Sequence, residues 1–127
     1  MHKDKKVLIT GGAGFLGTYL VDLLLTKGGV DIVIFDRLRG HVRKKYPRRV
    51  RYIKGDILSK NDISRAFRMH GPFDTVYHLA SAMPNKAVSD DVTWQTNVSG
   101  TANLVAEAVK HRTRSFIFTS SNVTYGI

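Results

Sequence analysis

Cysteine is absent from the 127 residues, so the chain can form neither a disulfide framework nor a thiolate metal site. Apolar runs extend over only a few residues, too short for a secretory signal core or a membrane span. No metal site is expected. We expect one soluble, cytoplasmic domain over residues 1–127, because a chain of this length can bury a single core without covalent support.

Acidic residues are scarce compared with basic ones: 10 Asp and Glu stand against 20 Lys and Arg, a formal net charge of +10. Much of the excess lies between Arg37 and Arg51, in a stretch with little apolar periodicity. Its field could attract nucleic acid, a 2'-phosphate or an acidic partner, but a solvated connector explains it equally well. Nucleic acid is not the expected partner, because no RNA-binding motif or aromatic stacking pattern accompanies the charge.

Short β-rich apolar segments alternate with helical patterns along the whole chain. Five segments are predicted to be strands: residues 6–10, 31–36, 50–54, 73–80 and 115–119. Helical spacing follows from Phe15, after Ser59 as an N-terminal cap, and from Trp94 through Ala108. This alternation predicts an α/β fold, a Rossmann-type doubly wound parallel sheet with strand order 3-2-1-4-5. The ligand crevice is then expected at the carboxyl ends of strands one and four.

Three glycines, Gly11, Gly14 and Gly17, fall directly between the first strand and the first helix. In a dinucleotide-binding turn the first permits the tight turn, the second lets the backbone approach a pyrophosphate, and the third allows close packing of helix on strand. The phosphates are expected on the free amides at the start of the helix, near Phe15 and Leu16.

Asp36 ends the second predicted strand, about twenty residues after the glycines, where a carboxylate reaches the adenine ribose hydroxyls. It would accept hydrogen bonds from a free 2'-hydroxyl and repel a 2'-phosphate, so NAD is predicted rather than NADP. Arg37 and Arg39 are the counter-evidence, because a guanidinium can grip a phosphate with two hydrogen bonds.

The sequence TGGAGFLG, with glycine spacing G-x-x-G-x-x-G, resembles the extended short-chain dehydrogenase/reductase family, the NAD-dependent epimerases and dehydratases that act largely on nucleotide sugars. Four further segments agree in order, so the resemblance covers the whole chain: residues 55–57, 78–81, 97–101 and 119–121.

The resemblance implies a role for most of these positions. Asp56 and Ile57 would flank the adenine, and Asn97 would support the dinucleotide cleft. The remaining cofactor-binding positions would line the cleft: Leu79, Ala80, Ser81 and Thr119. We interpret His78 differently, as a packed histidine at a strand end.

Ser121 matches the family's catalytic serine, which hydrogen-bonds the reacting hydroxyl or carbonyl. Family members complete the site with a Tyr-x-x-x-Lys pair, in which the lysine lowers the tyrosine's pKa so that it can act as a base. No tyrosine of this chain has a lysine four positions later, and Tyr125 matches a structural Tyr-Gly instead. The chain alone is therefore not expected to turn over substrate.

The favoured hypothesis is the NAD-binding portion of a longer nucleotide-sugar epimerase or dehydratase, lacking the C-terminal strands and the substrate domain. Other hypotheses stay open: a fragment of a 3β-hydroxysteroid-type dehydrogenase, a complete non-catalytic nucleotide-binding module, or a basic nucleic-acid-associated protein. An exposed sheet edge in such a piece also predicts self-association, or a homo-oligomer.

Overall fold

The computed structural model describes residues 3–37, 46–83 and 85–126. Arg39 and much of the basic stretch between Arg37 and Arg51 lie outside the described residues.

A five-stranded, all-parallel sheet has the order β3-β2-β1-β4-β5, which confirms the predicted topology. Its strands are β1 (Lys5–Thr10), β2 (Val30–Asp36), β3 (Val50–Lys54), β4 (Thr75–His78) and β5 (Ser115–Phe118). Thr10, the last residue of β1, lies opposite Phe35 of β2 and His78 of β4. The strand ends therefore meet at one edge, with the reversal of strand order between β1 and β4.

The α-helices are α1 (Phe15–Lys27), α2 (Lys60–His70), α3 (Asp90–Trp94) and α4 (Thr101–Lys110), of which α3 precedes the pattern that begins at Trp94. The pattern that predicts one long helix through residues 94–108 is interrupted by a π-helical segment, Gln95–Gly100, which joins α3 to α4. No helix in the described part of the chain is long and apolar enough to cross a lipid bilayer.

Alternate residues along the strands enter two separate apolar layers, one on each face of the sheet. On one face Leu8 and Phe35 pack with Phe67 of α2 and Leu104 of α4. On the opposite face the neighbouring strand residues pack against α1, centred on Val21. Because both faces are covered, the strands are apolar at nearly every position, as a doubly wound sheet requires.

Ser59 caps α2, as its sequence position predicts. Its Oγ accepts from the Asp62 amide (3.2 Å), while the Asp62 carboxylate accepts from the Asp56 amide (3.1 Å). The cap thus fixes both the helix and the turn that leaves β3.

Replacing Ser59 with alanine is expected to lower the free energy of unfolding by about 1 kcal/mol, because a helix amide loses its acceptor. Urea denaturation followed by circular dichroism measures the change. Ser64→Ala, within the same helix, is the matched control and should be neutral or slightly stabilising. Equal losses in the two variants would contradict a capping role for Ser59.

Candidate nucleotide site

A glycine turn leaves β1 and leads into α1, wedged between the ends of the neighbouring strands. The Gly11 amide donates to the Phe35 carbonyl of β2 (2.9 Å). Gly11 has φ +68°, and a Cβ there would lie 2.7 Å from the Ala80 nitrogen, just beyond β4. Left-handed backbone and close approach together restrict this position to glycine.

The other two glycines of the motif have different surroundings. A Cβ on Gly17 would lie 2.5 Å from the Gly12 Cα and 2.6 Å from the Gly11 oxygen, so α1 packs directly on the turn. A Cβ on Gly14 would meet only the Gly11 oxygen, at 3.2 Å, and Gly14 is exposed. Gly14 therefore presents bare backbone to the outside of the turn.

The first turn of α1 carries no protein anion. Gly14 stands at the cap position without a side-chain hydrogen bond, and no acidic residue lies in the first turn. The side chains of Phe15 and Leu16 are exposed. Free amides and the positive end of the helix dipole suit a phosphate group, so this corner fits the pyrophosphate of a dinucleotide.

Asp36 lies at the carboxyl end of β2, beside the glycine turn. Its carboxylate accepts from the Ala13 amide (3.1 Å), a contact that joins residues 23 positions apart in the sequence. The structure thus brings together the acidic side chain and the turn that were selected separately from the sequence. A charge-assisted bond of this kind holds the carboxylate at the rim where an adenine ribose would lie.

Arg37 points toward the turn after β3. Its guanidinium lies 3.8 Å from the Asp56 carboxylate, and both side chains are substantially exposed. Such a pair contributes little to stability. The Asp56 carboxylate would compete with a 2'-phosphate for the Arg37 guanidinium.

The predicted adenine pair, Asp56 and Ile57, occupies that turn in two different ways. The Asp56 carboxylate accepts from the Leu58 amide (2.9 Å), whereas the Ile57 side chain is buried in the core beneath α4. Asn103 of α4 donates to the Ile57 carbonyl (3.2 Å). Asn103 was not selected from the sequence, because its partner lies 46 residues away and no local pattern marks the contact.

His78 ends β4 as a fully buried side chain, which confirms the interpretation of a packed histidine. Its Nδ1 lies 2.6 Å from Thr10 Oγ1, and its Nε2 lies 2.8 Å from Thr101 Oγ1. Burial lowers the pKa of His78 to about 4, so the ring is neutral near pH 7. Both threonines lie in segments that carry the family resemblance, but neither was predicted to contact His78.

Asn97 lies in the π-helical segment and clamps the loop that follows β4. Its Oδ1 accepts from the Ala82 amide (2.8 Å), and its Nδ2 donates to the Ala82 carbonyl (2.9 Å). The neighbouring Leu79 and Ala80 are half-buried, while Ser81 is exposed. Of the three residues predicted to line the cleft, Leu79 and Ala80 thus lie directly beside Gly11, and Asn97 holds the residue that follows Ser81.

The last predicted residues follow β5. Thr119 donates to the His78 carbonyl through both its amide (3.3 Å) and its hydroxyl (3.2 Å). Ser121 is exposed and begins a 3₁₀ turn, Asn122–Tyr125, where its Oγ accepts from the Val123 amide (3.3 Å). Both therefore lie at the carboxyl edge of the sheet, beyond the end of β5.

A doubly wound parallel sheet with a glycine turn and a strand-end carboxylate at its carboxyl edge defines a Rossmann-type nucleotide-binding protein. The model of the NAD dependent epimerase/dehydratase family matches residues 7–127. The chain belongs to this family, which confirms the resemblance and agrees with the prediction of NAD as the cofactor.

Known relatives are similar over nearly all of this chain. UDP-glucose 4-epimerase 3 of Oryza sativa subsp. japonica is 34% identical, over 94% of this chain and 35% of its own length. CDP-paratose 2-epimerase of Salmonella typhi is 35% identical, over 95% of this chain and 38% of its own length. The chain therefore spans little more than a third of either relative.

Two solved structures superpose on most of this chain. The UDP-glucose 4-epimerase of Thermus thermophilus in complex with NAD superposes with a TM-score of 0.79 at 31% identity, covering 91% of this chain and 37% of the other. Bordetella bronchiseptica WbmG in complex with NAD and UDP superposes with a TM-score of 0.83 at 28% identity, covering 94% of this chain and 38% of the other.

Proposed function

We propose that this chain binds NAD at the carboxyl edge of its sheet. The observation that carries the proposal is the uncapped start of α1 at Gly14, next to the Asp36 carboxylate that is bonded to the Ala13 amide. The pyrophosphate would lie on the Phe15 and Leu16 amides and the ribose on Asp36. The turn at Asp56 would then flank the adenine.

The loop after β4 would complete the cleft toward the nicotinamide. Leu79 and Ala80 lie directly beside Gly11 of the glycine turn, Ser81 follows them, and Asn97 holds the next residue, Ala82. Thr119 lies beside this loop through its bonds to His78. NAD, when bound, supplies hydride transfer, while the protein supplies binding and orientation.

The whole protein, in this proposal, is a nucleotide-sugar epimerase or dehydratase of which this chain is the cofactor-binding portion. UDP-glucose and CDP-paratose epimerases among its relatives support that substrate class rather than a steroid. Ser121 would hydrogen-bond the reacting hydroxyl or carbonyl. Without a Tyr-x-x-x-Lys pair to exchange the proton, these 127 residues alone would bind NAD but not turn over substrate.

The β5 edge supports the prediction of self-association for the isolated chain. Ile117 and Phe118 of β5 are exposed, as are Val105 and Val109 of α4. Exposed apolar side chains beside an open strand edge favour association. Association itself stays a prediction.

Calorimetric titration with NAD and NADP tests the proposed site. Wild type is expected to bind NAD more tightly than NADP. Asp36→Asn should weaken NAD binding by about tenfold, since hydrogen bonds to a charged acceptor are lost. The same substitution should narrow the preference for NAD over NADP, because the repulsion of a 2'-phosphate is removed.

Asp31→Asn is the matched control, because Asp31 lies near the amino end of the same strand and undergoes the same change in charge. It should leave both affinities unchanged. A wild-type chain that is folded by circular dichroism but binds neither cofactor would refute the proposed function. Equal effects of the two substitutions would refute the role of Asp36.

A further inference from the structure

A chain of hydrogen bonds crosses the carboxyl edge of the sheet from β1 to the π-helical segment. It runs from Thr10 through the His78 ring to the Thr101 hydroxyl. From there it continues to the Asn97 carbonyl (2.7 Å). These residues lie up to 91 positions apart in the sequence (Thr10 to Thr101), so only the folded protein assembles the chain.

The direction of every proton in this chain follows from one hydroxyl. A carbonyl can only accept, so Thr101 Oγ1 must donate its single proton to Asn97. Toward His78 the same oxygen can then only accept, and His78 must carry its ring proton on Nε2. Nδ1 is left with a lone pair and accepts from the Thr10 hydroxyl, which in turn accepts from the Ala80 amide (3.3 Å).

Both ends of the chain fix the loop after β4. On the β1 side Thr10 holds the Ala80 amide, and on the helix side Asn97 holds both backbone groups of Ala82. Ser81, between the two anchors, is exposed. The His78 ring is the only group that joins the two anchors through hydrogen bonds among those the structure shows for the described residues.

We propose that His78, as the Nε2–H tautomer, is a positioning residue that holds residues 79–82 in place as a wall of the nucleotide cleft. The inference rests on the proposed function for the ligand that residues 79–82 would face. The tautomer and the hydrogen bonds that hold the loop can be tested without that ligand. His78 does not contact the cofactor in this account. It acts through Thr101 and Asn97 on one side and through Thr10 on the other.

Nitrogen-15 NMR of the histidine rings tests the tautomer in the wild-type chain without ligand. We expect a protonated Nε2 and an unprotonated Nδ1 at neutral pH for His78. Amide exchange of Ala82 should be slow, because its N–H is held by Asn97. A protonated Nδ1 in the neutral ring would overturn the proposal whether or not the chain binds NAD.

Thr101→Val and Thr101→Ser test the positioning role without altering His78. Valine keeps the branched shape but leaves Nε2–H without an acceptor, and serine keeps the hydroxyl. Under conditions where all proteins are folded, we expect Thr101→Val to speed amide exchange of Ala82 and to weaken NAD binding by about tenfold. This factor corresponds to the loss of one or two neutral hydrogen bonds. Thr101→Ser should stay within about twofold of wild type on the same scale.

The outcomes separate this inference from the proposed function. If wild type fails to bind NAD, the proposed function is refuted, while the His78 tautomer and the amide exchange of Ala82 still test the positioning role of His78. If wild type binds NAD and Thr101→Val binds it equally well, His78 is only a packing residue and the positioning role is refuted. Should Thr101→Val fail to fold, Thr101→Ala, which removes the same hydroxyl, is compared with Thr101→Ser in its place, and the wild-type tautomer still tests the direction of the protons.

Discussion

Replacing Gly17 with alanine is expected to lower the free energy of unfolding by at least about 2 kcal/mol, even though alanine is the better helix former. The added methyl would lie 2.5 Å from the Gly12 Cα and 2.6 Å from the Gly11 oxygen. Both are backbone atoms of the glycine turn, so no flexible side chain can move aside. Relief requires α1 to shift away from β1, which disturbs the apolar layer around Val21.

Gly14→Ala separates packing from binding in the same turn. Its methyl would meet only the Gly11 oxygen, at 3.2 Å, and its backbone has φ −79°, which alanine adopts freely. We expect a change in unfolding free energy below about 1 kcal/mol, but a clear loss of NAD affinity, because the methyl occupies the side from which a pyrophosphate approaches. Urea denaturation and calorimetry measure the two effects. If Gly17→Ala is as stable as wild type, the close packing of α1 on the turn is wrong.

Local sequence patterns were sufficient for the sheet and for the turn. The apolar runs that became β1, β2 and β3 are separated by glycines and polar residues, and the helices predicted between most of the strands favour parallel pairing. The glycine spacing and Asp36 are similarly local. Their meeting through Ala13 follows directly from the strand order.

Tertiary contacts account for what the patterns did not predict. The strand predicted over residues 73–80 is shorter, Thr75–His78. Beyond it the Leu79 amide still donates to the Thr10 carbonyl of β1 (3.1 Å), but the Ala80 amide turns to the Thr10 hydroxyl, beside Gly11. The π-helical segment was predicted as ordinary helix. There Gly100 lies so close to Ile57 that a Cβ would be 2.7 Å from its side chain. Neither contact is visible within one helical or strand period.

The hydroxyls around His78 show the same limit. Thr10 and Thr101 are unremarkable in a strand and a helix, and only the parallel pairing of β1 with β4 brings the first to the histidine ring. A histidine at a strand end is recognisable from sequence as a packed residue. Its tautomer is not, because that depends on the direction of a proton on a threonine 23 residues away.

Acid is expected to destabilise the fold through His78 by about 3 kcal/mol between neutral pH and about pH 4. Burial lowers the pKa of His78 from 6.5 to about 4 in the folded protein, so the unfolded chain binds the proton more tightly. The free energy of unfolding is therefore unaffected by this group above about pH 7 and falls progressively as the pH drops through the range between these two values. Protonation would also turn Nδ1 into a second donor and deprive Thr10 of its acceptor.

Urea denaturation of wild type and His78→Gln across this range isolates the contribution. Glutamine cannot titrate but can still donate toward Thr101, so its stability should be lower at neutral pH and should fall less steeply in acid. Subtracting one stability curve from the other cancels the contributions of the carboxylates and of His70, because both proteins contain them. The pKa of His70 is itself lowered by burial and by the nearby Arg51 and Lys6. Parallel curves for the two proteins would mean that His78 is not the buried neutral group described, because a folded-state pKa near its ordinary value contributes no slope.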